Sequence, residues 1–180
     1  MDRSSRQHAG RSTPPVSPEY FNFVMAHLPP RQVPQNPGDW ILRVVHFPEA
    51  KPEIAWDVSY ANGAAEILQV WFEQSAKQAL AKSEPSSNVP TEIGKAALPE
   101  SEALITEVQN GLCHQCCNFQ DTEPGGDAYA LHFQHGGEVH TAHACNPRHS
   151  SSEAAEPWQR LLTRLIGSAL MVPRRYMLGN

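Results

Sequence analysis

Apolar and polar residues alternate with a period of two over four stretches of the chain, the mark of half-buried strands. Asp39 to Phe47 places Trp40, Leu42, Val44 and His46 on one side and Ile41, Arg43, Val45 and Phe47 on the other. Ile54 to Tyr60 sets Ile54, Trp56, Val58 and Tyr60 against Ala55, Asp57 and Ser59. The clearest pair is Tyr129 to Gln134 and Val139 to Cys145, which flank His135-Gly136-Gly137-Glu138. A Gly-Gly pair between two alternating runs predicts a hairpin with a two-residue turn. With that turn, Tyr129 faces Ala144, Leu131 faces Ala142 and Phe133 faces His140 on the core side. Ala130 with His143, His132 with Thr141 and Gln134 with Val139 then share the other side, with Cys145 at its end.

Three stretches carry helical spacing instead. Ser17-Pro18-Glu19 is a start signal: a hydroxyl cap, a proline in the first turn and an acid at the positive dipole end. Tyr20, Phe21, Val24, Met25 and Leu28 follow, and Pro29-Pro30 ends the run. Glu100 to Leu112 turns Leu104, Ile105, Val108 and Leu112 inward. Ser150–Ser152 and Glu153 open a last helix bearing Trp158, Leu161, Leu162, Leu165, Ile166 and Leu170.

The segment from Ala64 to Lys82 has helical composition, with Ile67, Leu68, Trp71 and Phe72 at helical spacing. Asn62-Gly63 directly after a strand is a specific hairpin signal, so residues 65–73 read as a third strand. Residues 83–98, rich in Ser, Pro and small side chains, read as a long surface loop. Residues 1–16 and 173–180 lack a hydrophobic pattern and read as tails around a single domain, 17–172. The expectation is an α+β fold: an antiparallel sheet built from hairpins, with helices packed on one face. The βαβ alternation with a Gly-rich phosphate loop that marks nucleotide folds is missing.

Composition narrows the function. Fourteen Lys and Arg against nineteen Asp and Glu leave a formal charge of −5 over 180 residues. That balance disfavours a nucleic-acid groove, which works by releasing counterions, and docking on anionic lipid. No run of about 18 apolar residues occurs, and Met1 to Pro15 has no signal-peptide core, so the expected location is cytoplasmic. There the four cysteines are expected as thiols.

The chemistry-bearing residues gather in the second half. Zinc is held tetrahedrally by Cys and His ligands close in sequence or space. Cys113-x-x-Cys116 supplies one pair, and His143 with Cys145, on one face of a strand, supplies a second. His140 and His143 would point to opposite faces and cannot form a pair. The alternative is small buried thiols beside histidines that decorate an exposed sheet face. A nucleophilic Cys113, Cys116 or Cys117 would need a neighbouring base, and the spacing to His114 or His140 compels none. A thioredoxin-like Cys-x-x-Cys belongs at a helix start, whereas this one follows a helix. No catalytic residue is assigned from sequence motifs. Glu100, Glu102 and Glu107 form the solvated side of the short helix or a contact patch for a basic partner.

From Leu98 to Leu170 the order is a short helix (LPESEALITEVQNGL), an alternating hairpin (DAYALHFQHGGEVHTAHAC) and a closing amphipathic helix. This layout, with its Tyr-x-Leu-x-Phe and Val-His-Thr strands, resembles small bacterial α+β inhibitors of the emfourin type. Effector-immunity proteins have similar plans. The resemblance covers less than half of the chain and carries over no inhibitory residue. It implies a non-catalytic cytoplasmic module without cofactor that binds, and neutralises, another protein, such as a toxin or peptidase. The rival expectation is a zinc- or thiol-dependent protein using Cys113, Cys116, His143 and Cys145.

Overall fold

The computed structural model describes residues 16–30, 34, 36–82, 91–98, 101–113, 118–120 and 126–169. Its centre is a seven-stranded sheet. In chain order the first strands are β1 (Trp40–Phe47), β2 (Ile54–Ala61), β3 (Ala64–Phe72) and β4 (Thr91–Ala97). They are followed by β5 (Phe119–Gln120), β6 (Ala128–His135) and β7 (Glu138–Cys145). The spatial order is β4-β3-β2-β1-β6-β7-β5. All neighbours are antiparallel except the two-residue β5, which lies parallel to β7.

Turn chemistry sets the registers. Asn62 and Gly63 both take positive φ, 54° and 78°, as do Gly136 and Gly137 at 58° and 85°. This left-handed pair is what a tight two-residue hairpin requires. The β6–β7 register is the one expected, with Leu131 opposite Ala142 and His132 opposite Thr141. Residues 64–72 form the third strand, with Ile67 and Val70 wholly buried. The helical remainder of that segment is the short α2 (Ala76–Ala81).

The expected loop at 83–98 needs correction, because 91–97 forms β4 on the edge beside β3; residues 83–90 lie outside the described set. The strand left no alternating signal because it buries little side chain: its one large apolar residue, Ile93, stays 43% exposed. What β4 gains is main-chain pairing with β3, which its own sequence cannot show. Val16 is packed among the buried residues of the second core.

The first face of the sheet carries the main core. It is covered by α3 (Ser101–Glu107), the π-helical turn Val108–Cys113 that continues it, and α4 (Glu156–Ala169). Ser152 accepts the Ala154 N–H at the head of the 3-10 turn Glu153–Ala155, which leads into α4. Trp158, Leu161, Leu162 and Leu165 then point at Leu42, Val58, Ile67, Tyr129 and Leu131, all essentially without solvent contact. Each such side chain contributes roughly 1.5–3 kcal/mol of burial.

This is the α+β plan read from the sequence, with one addition. The helices are not confined to one face: α1 (Pro18–Ala26) and α2 lie on the opposite one. Val24 of α1 and Ala76 and Ala79 of α2 join Val45, Phe47, Ala55, Val70, Phe72, Ala128 and Ala130 in a second core. Hydrophobic periodicity shows that a helix has a side to bury but not which face of a sheet receives it. Among the described residues no helix is long and apolar enough to cross a membrane.

Candidate functional site

The strand registers write the second face in rows across the sheet. One row is Ile93, Val70, Ala55, Val45, Ala130 and His143, and next to it lie Thr91, Phe72, Phe47, Ala128 and Cys145. These rows are mostly apolar, and α1 and α2 lie over them. The following row is Lys95, Leu68, Asp57, Arg43, His132 and Thr141; beyond it run Ala97, Glu66, Ser59, Ile41, Gln134 and Val139. Among the described residues no helix lies over this polar half: Lys95, Glu66, Thr141 and Val139 towards its edges are exposed, while Arg43 and Ile41 at its centre are buried beside Pro29 and Pro30.

A buried ion pair stands at the boundary. Arg43 is 3% exposed and donates from Nε to Asp57 Oδ1 at 2.5 Å and from Nη2 to Asp57 Oδ2. The two residues are direct cross-strand neighbours on β1 and β2, which makes the side-on, two-bond geometry accessible. Nη2 also donates to the Pro29 carbonyl at 2.7 Å, tying the end of the α1 segment to the sheet. Shallow hollows flank the pair. One of about 170 Å³ is lined by Pro30, Ile41, Asp57, Ser59, Leu68 and Lys95. The other, about 210 Å³, lies against α1 and is lined by Phe21, Met25, Arg43, His132, Thr141 and His143. Lys95 bridges to Glu66 at 2.7 Å beside the first hollow, and both side chains are at least half exposed. The His143 ring meets Phe21 edge-on at 6.1 Å, and burial lowers its pKa, so the imidazole is held neutral.

A second polar cluster lies at the other end, on the first face. His46 Nε2 is 3.1 Å from Asp127 Oδ2, and the ring stacks on Tyr129 with centroids 4.6 Å apart. Burial lowers the His46 pKa; Asp127 opposes this, while Arg148 and Lys51 add to it. Burial, and then the Asp127 charge, push the Tyr129 hydroxyl up to about 12. Asp127 is itself held from behind: its N–H donates to Asn146 Oδ1 at 2.9 Å, and its carbonyl accepts from Asn146 N–H at 2.8 Å. Gly126 makes this clasp possible, since a Cβ there would stand 1.8 Å from Asn146 Oδ1. The cluster closes the end of the sheet over the β6 start, a structural task for a histidine and an aspartate.

A third, buried carboxylate escaped the sequence reading. Glu53, without solvent exposure, accepts the N–H groups of Ala76 at 2.8 Å and Lys77 at 3.3 Å, and the Tyr20 hydroxyl. It holds the start of α2 and the start of α1 on the same sheet end. Burial and the Glu53 carboxylate raise the Tyr20 pKa well above that of a free phenol, keeping the proton on the tyrosine. Glu53 follows Pro52 in a turn and has no periodic signal, so nothing local marks it.

The residues expected from sequence disperse unevenly. His132, His143 and Cys145 share the second face, as the hairpin register required, and the β1–β6 pairing sets His132 beside Arg43. Cys113 ends the π-helical turn, and Cys116 lies outside the described residues. Among the described residues no three His, Cys, Asp or Glu side chains gather to hold a metal ion. Glu102 is exposed on α3, and Glu100 lies outside the described residues. Glu107 faces inward to α4: it accepts from Arg160 Nε at 2.5 Å and lies 3.9 Å from Arg164 Nε, with 15% side-chain exposure. That carboxylate bridges α3 to α4. Arg43, Asp57 and Glu53 were missed as site residues because a lone charge inside a strand or turn pattern reads as a solvated one. No family model matches the chain, and no curated protein matches it at a meaningful level.

Proposed function

We propose that the chain is a non-catalytic protein-binding module of the inhibitor or immunity kind, which masks a partner such as a toxin or peptidase with the polar half of its second sheet face. The observation that carries the reading is the division of that face. Two rows are roofed by helices, while among the described residues no helix covers the next two, whose Lys95, Glu66, Thr141 and Val139 are exposed around hollows of about 170 and 210 Å³. A surface with a buried ion pair at its centre, mixed polar groups around it and only small hollows suits a broad protein surface more than a small ligand. The net charge of −5 favours encounter with a basic partner. The emfourin-like layout of residues 98–170 points the same way.

The test is capture of a partner from the native cell by the full chain, repeated with surface variants. Val139→Arg, at an exposed position of this half, is expected to weaken capture at least tenfold while the thermal midpoint stays in place. Glu102→Lys on α3 is expected to leave capture intact. Loss of capture with Glu102→Lys alone would move the interface to the helical side and overturn the assignment. The zinc- or thiol-dependent alternative keeps one favourable observation, the shared face of His143 and Cys145. Stoichiometric zinc in protein purified without added metal, lost on Cys116→Ser, would favour it instead.

A further inference from the structure

The outer edge of β4 is a row of main-chain groups that the sheet itself leaves unpaired. We propose that this edge pairs antiparallel with the same edge of a second copy, joining two chains into one continuous sheet. The inference goes beyond the protein-binding reading and stands without it.

Backbone parity fixes which groups face outward. Along an antiparallel ladder, successive residues direct their N–H and C=O groups to opposite sides. Phe72 N–H donates to the Glu53 carbonyl at 3.1 Å, and Leu98 N–H donates to the Ala65 carbonyl at 2.9 Å. Through the β3–β4 register these bonds turn the main chain of Glu92, Gly94, Ala96 and Leu98 toward β3. Thr91, Ile93, Lys95 and Ala97 therefore direct theirs outward. β4 ends the sheet, and among the described residues no strand lies beyond it. Such a row invites another strand.

The usual protections of an edge are weak here. Edges are blunted by being very short, by charge or by proline. The opposite edge is the two-residue β5, whereas β4 runs for seven residues, Thr91–Ala97, without proline. Its Ile93 stays 43% exposed. Its one base, Lys95, is bridged to Glu66 at 2.7 Å, which balances that charge within the same chain.

Self-complementarity selects a second copy as the occupant. A two-fold axis through Gly94, perpendicular to the sheet, pairs Thr91 with Ala97 of the second copy and Ile93 with its Lys95, and the reverse. All four outward residues then exchange hydrogen bonds. Ile93 lies against the apolar stem of Lys95, and Gly94 meets Gly94 where the two strands come closest. Glu92 and Lys95 leave the strand without net charge, so the copies meet without repulsion along it. Sliding the register one way opposes Lys95 to Lys95, and sliding it the other way carries Ala97 past the start of the second strand. The same axis keeps both second faces on one side, so the dimer presents two polar halves together.

Sedimentation of the full chain from low to high micromolar concentration is the test. The mass is expected to rise from that of one chain to that of two. Ile93→Pro removes an outward N–H and no bond to β3, and is expected to leave a folded monomer at every concentration. Two charge variants check the register with the backbone untouched. Ile93→Lys sets lysine against Lys95 on both sides of the axis and is expected to raise the dissociation constant at least tenfold. Ile93→Glu sets an acid there and is expected to change it less than threefold. A chain that is monomeric at every concentration overturns the proposal, as does a dimer that both charge variants weaken alike. A monomer whose partner capture is lost with Ile93→Pro overturns it too, and gives the edge to a strand of the partner.

Discussion

The two faces of the sheet are built from the same strands and solve different problems. On the first, every strand from β3 to β7 contributes apolar side chains, and α3 and α4 roof them into one core around Trp158, Leu161 and Leu162. On the second, the apolar rows stop at Val45 and Ala130, and the next positions along the same strands are Arg43 and His132. The first face stabilises mainly by area. The second holds its helices with a few costly polar contacts: Arg43 with Asp57 and Pro29, and Glu53 with the start of α2 and Tyr20. A face held by area tolerates no gap. A face held by paired charges tolerates no lost partner, and it leaves polar surface available for recognition.

The sharpest way to test that contrast is to damage each face in its own currency. Trp158→Ala empties the centre of the first core and should cost about 3–5 kcal/mol by denaturant unfolding. Arg43→Met leaves Asp57 half-buried and unpaired and should cost about 3 kcal/mol, near the low end for a broken buried pair because Asp57 keeps some solvent contact. Removing both charges in Arg43→Met with Asp57→Leu should recover most of that loss. If the double variant is as unstable as the sum of the single ones, the second face is held by area after all. Glu53→Gln keeps the shape but weakens bonds to the α2 N–H groups. It should cost about 1.5–3 kcal/mol, with the loss seen first as faster amide exchange at Ala76 and Lys77.

The next effect is pH dependence. His46 and His143, one on each face, have pKa values lowered by burial. The unfolded chain therefore binds protons first as pH falls through about 6.5, the ordinary histidine value. Stability is complete above that pH and declines as it falls toward the folded values. Unfolding measured between pH 7.5 and 5.5 should show this slope, and His46→Gln together with His143→Asn should flatten it. The smallest effect belongs to Arg160→Ala. Arg160 is itself half exposed and Arg164 stays beside Glu107 when it is removed, so the thermal midpoint should stay within the scatter of neutral surface changes.

Much of this molecule was legible before any coordinate. Period-two alternation found β1, β2, β6 and β7, and Gly136-Gly137 set a register that places His132 opposite Thr141. Ser17-Pro18 marked the start of α1, where the Ser17 hydroxyl accepts the Tyr20 N–H. These features are local: a turn that needs positive φ, a cap, or a face that must be apolar announces itself within a few residues. The site was much less legible. Arg43 and Asp57 are 14 positions apart and become partners only through the β1–β2 register, while Glu53 meets Ala76 across 23 positions.

The chain's own pattern of turns and alternation thus dictated an antiparallel sheet and its main core, because backbone geometry and apolar burial act over short stretches of sequence. Which face α1 and α2 would roof, that residues 91–97 would join an edge, and which charges would be buried together were matters of assembly. Those outcomes depend on pairing between distant segments, where a carboxylate finds its guanidinium or a helix its free N–H groups in three dimensions.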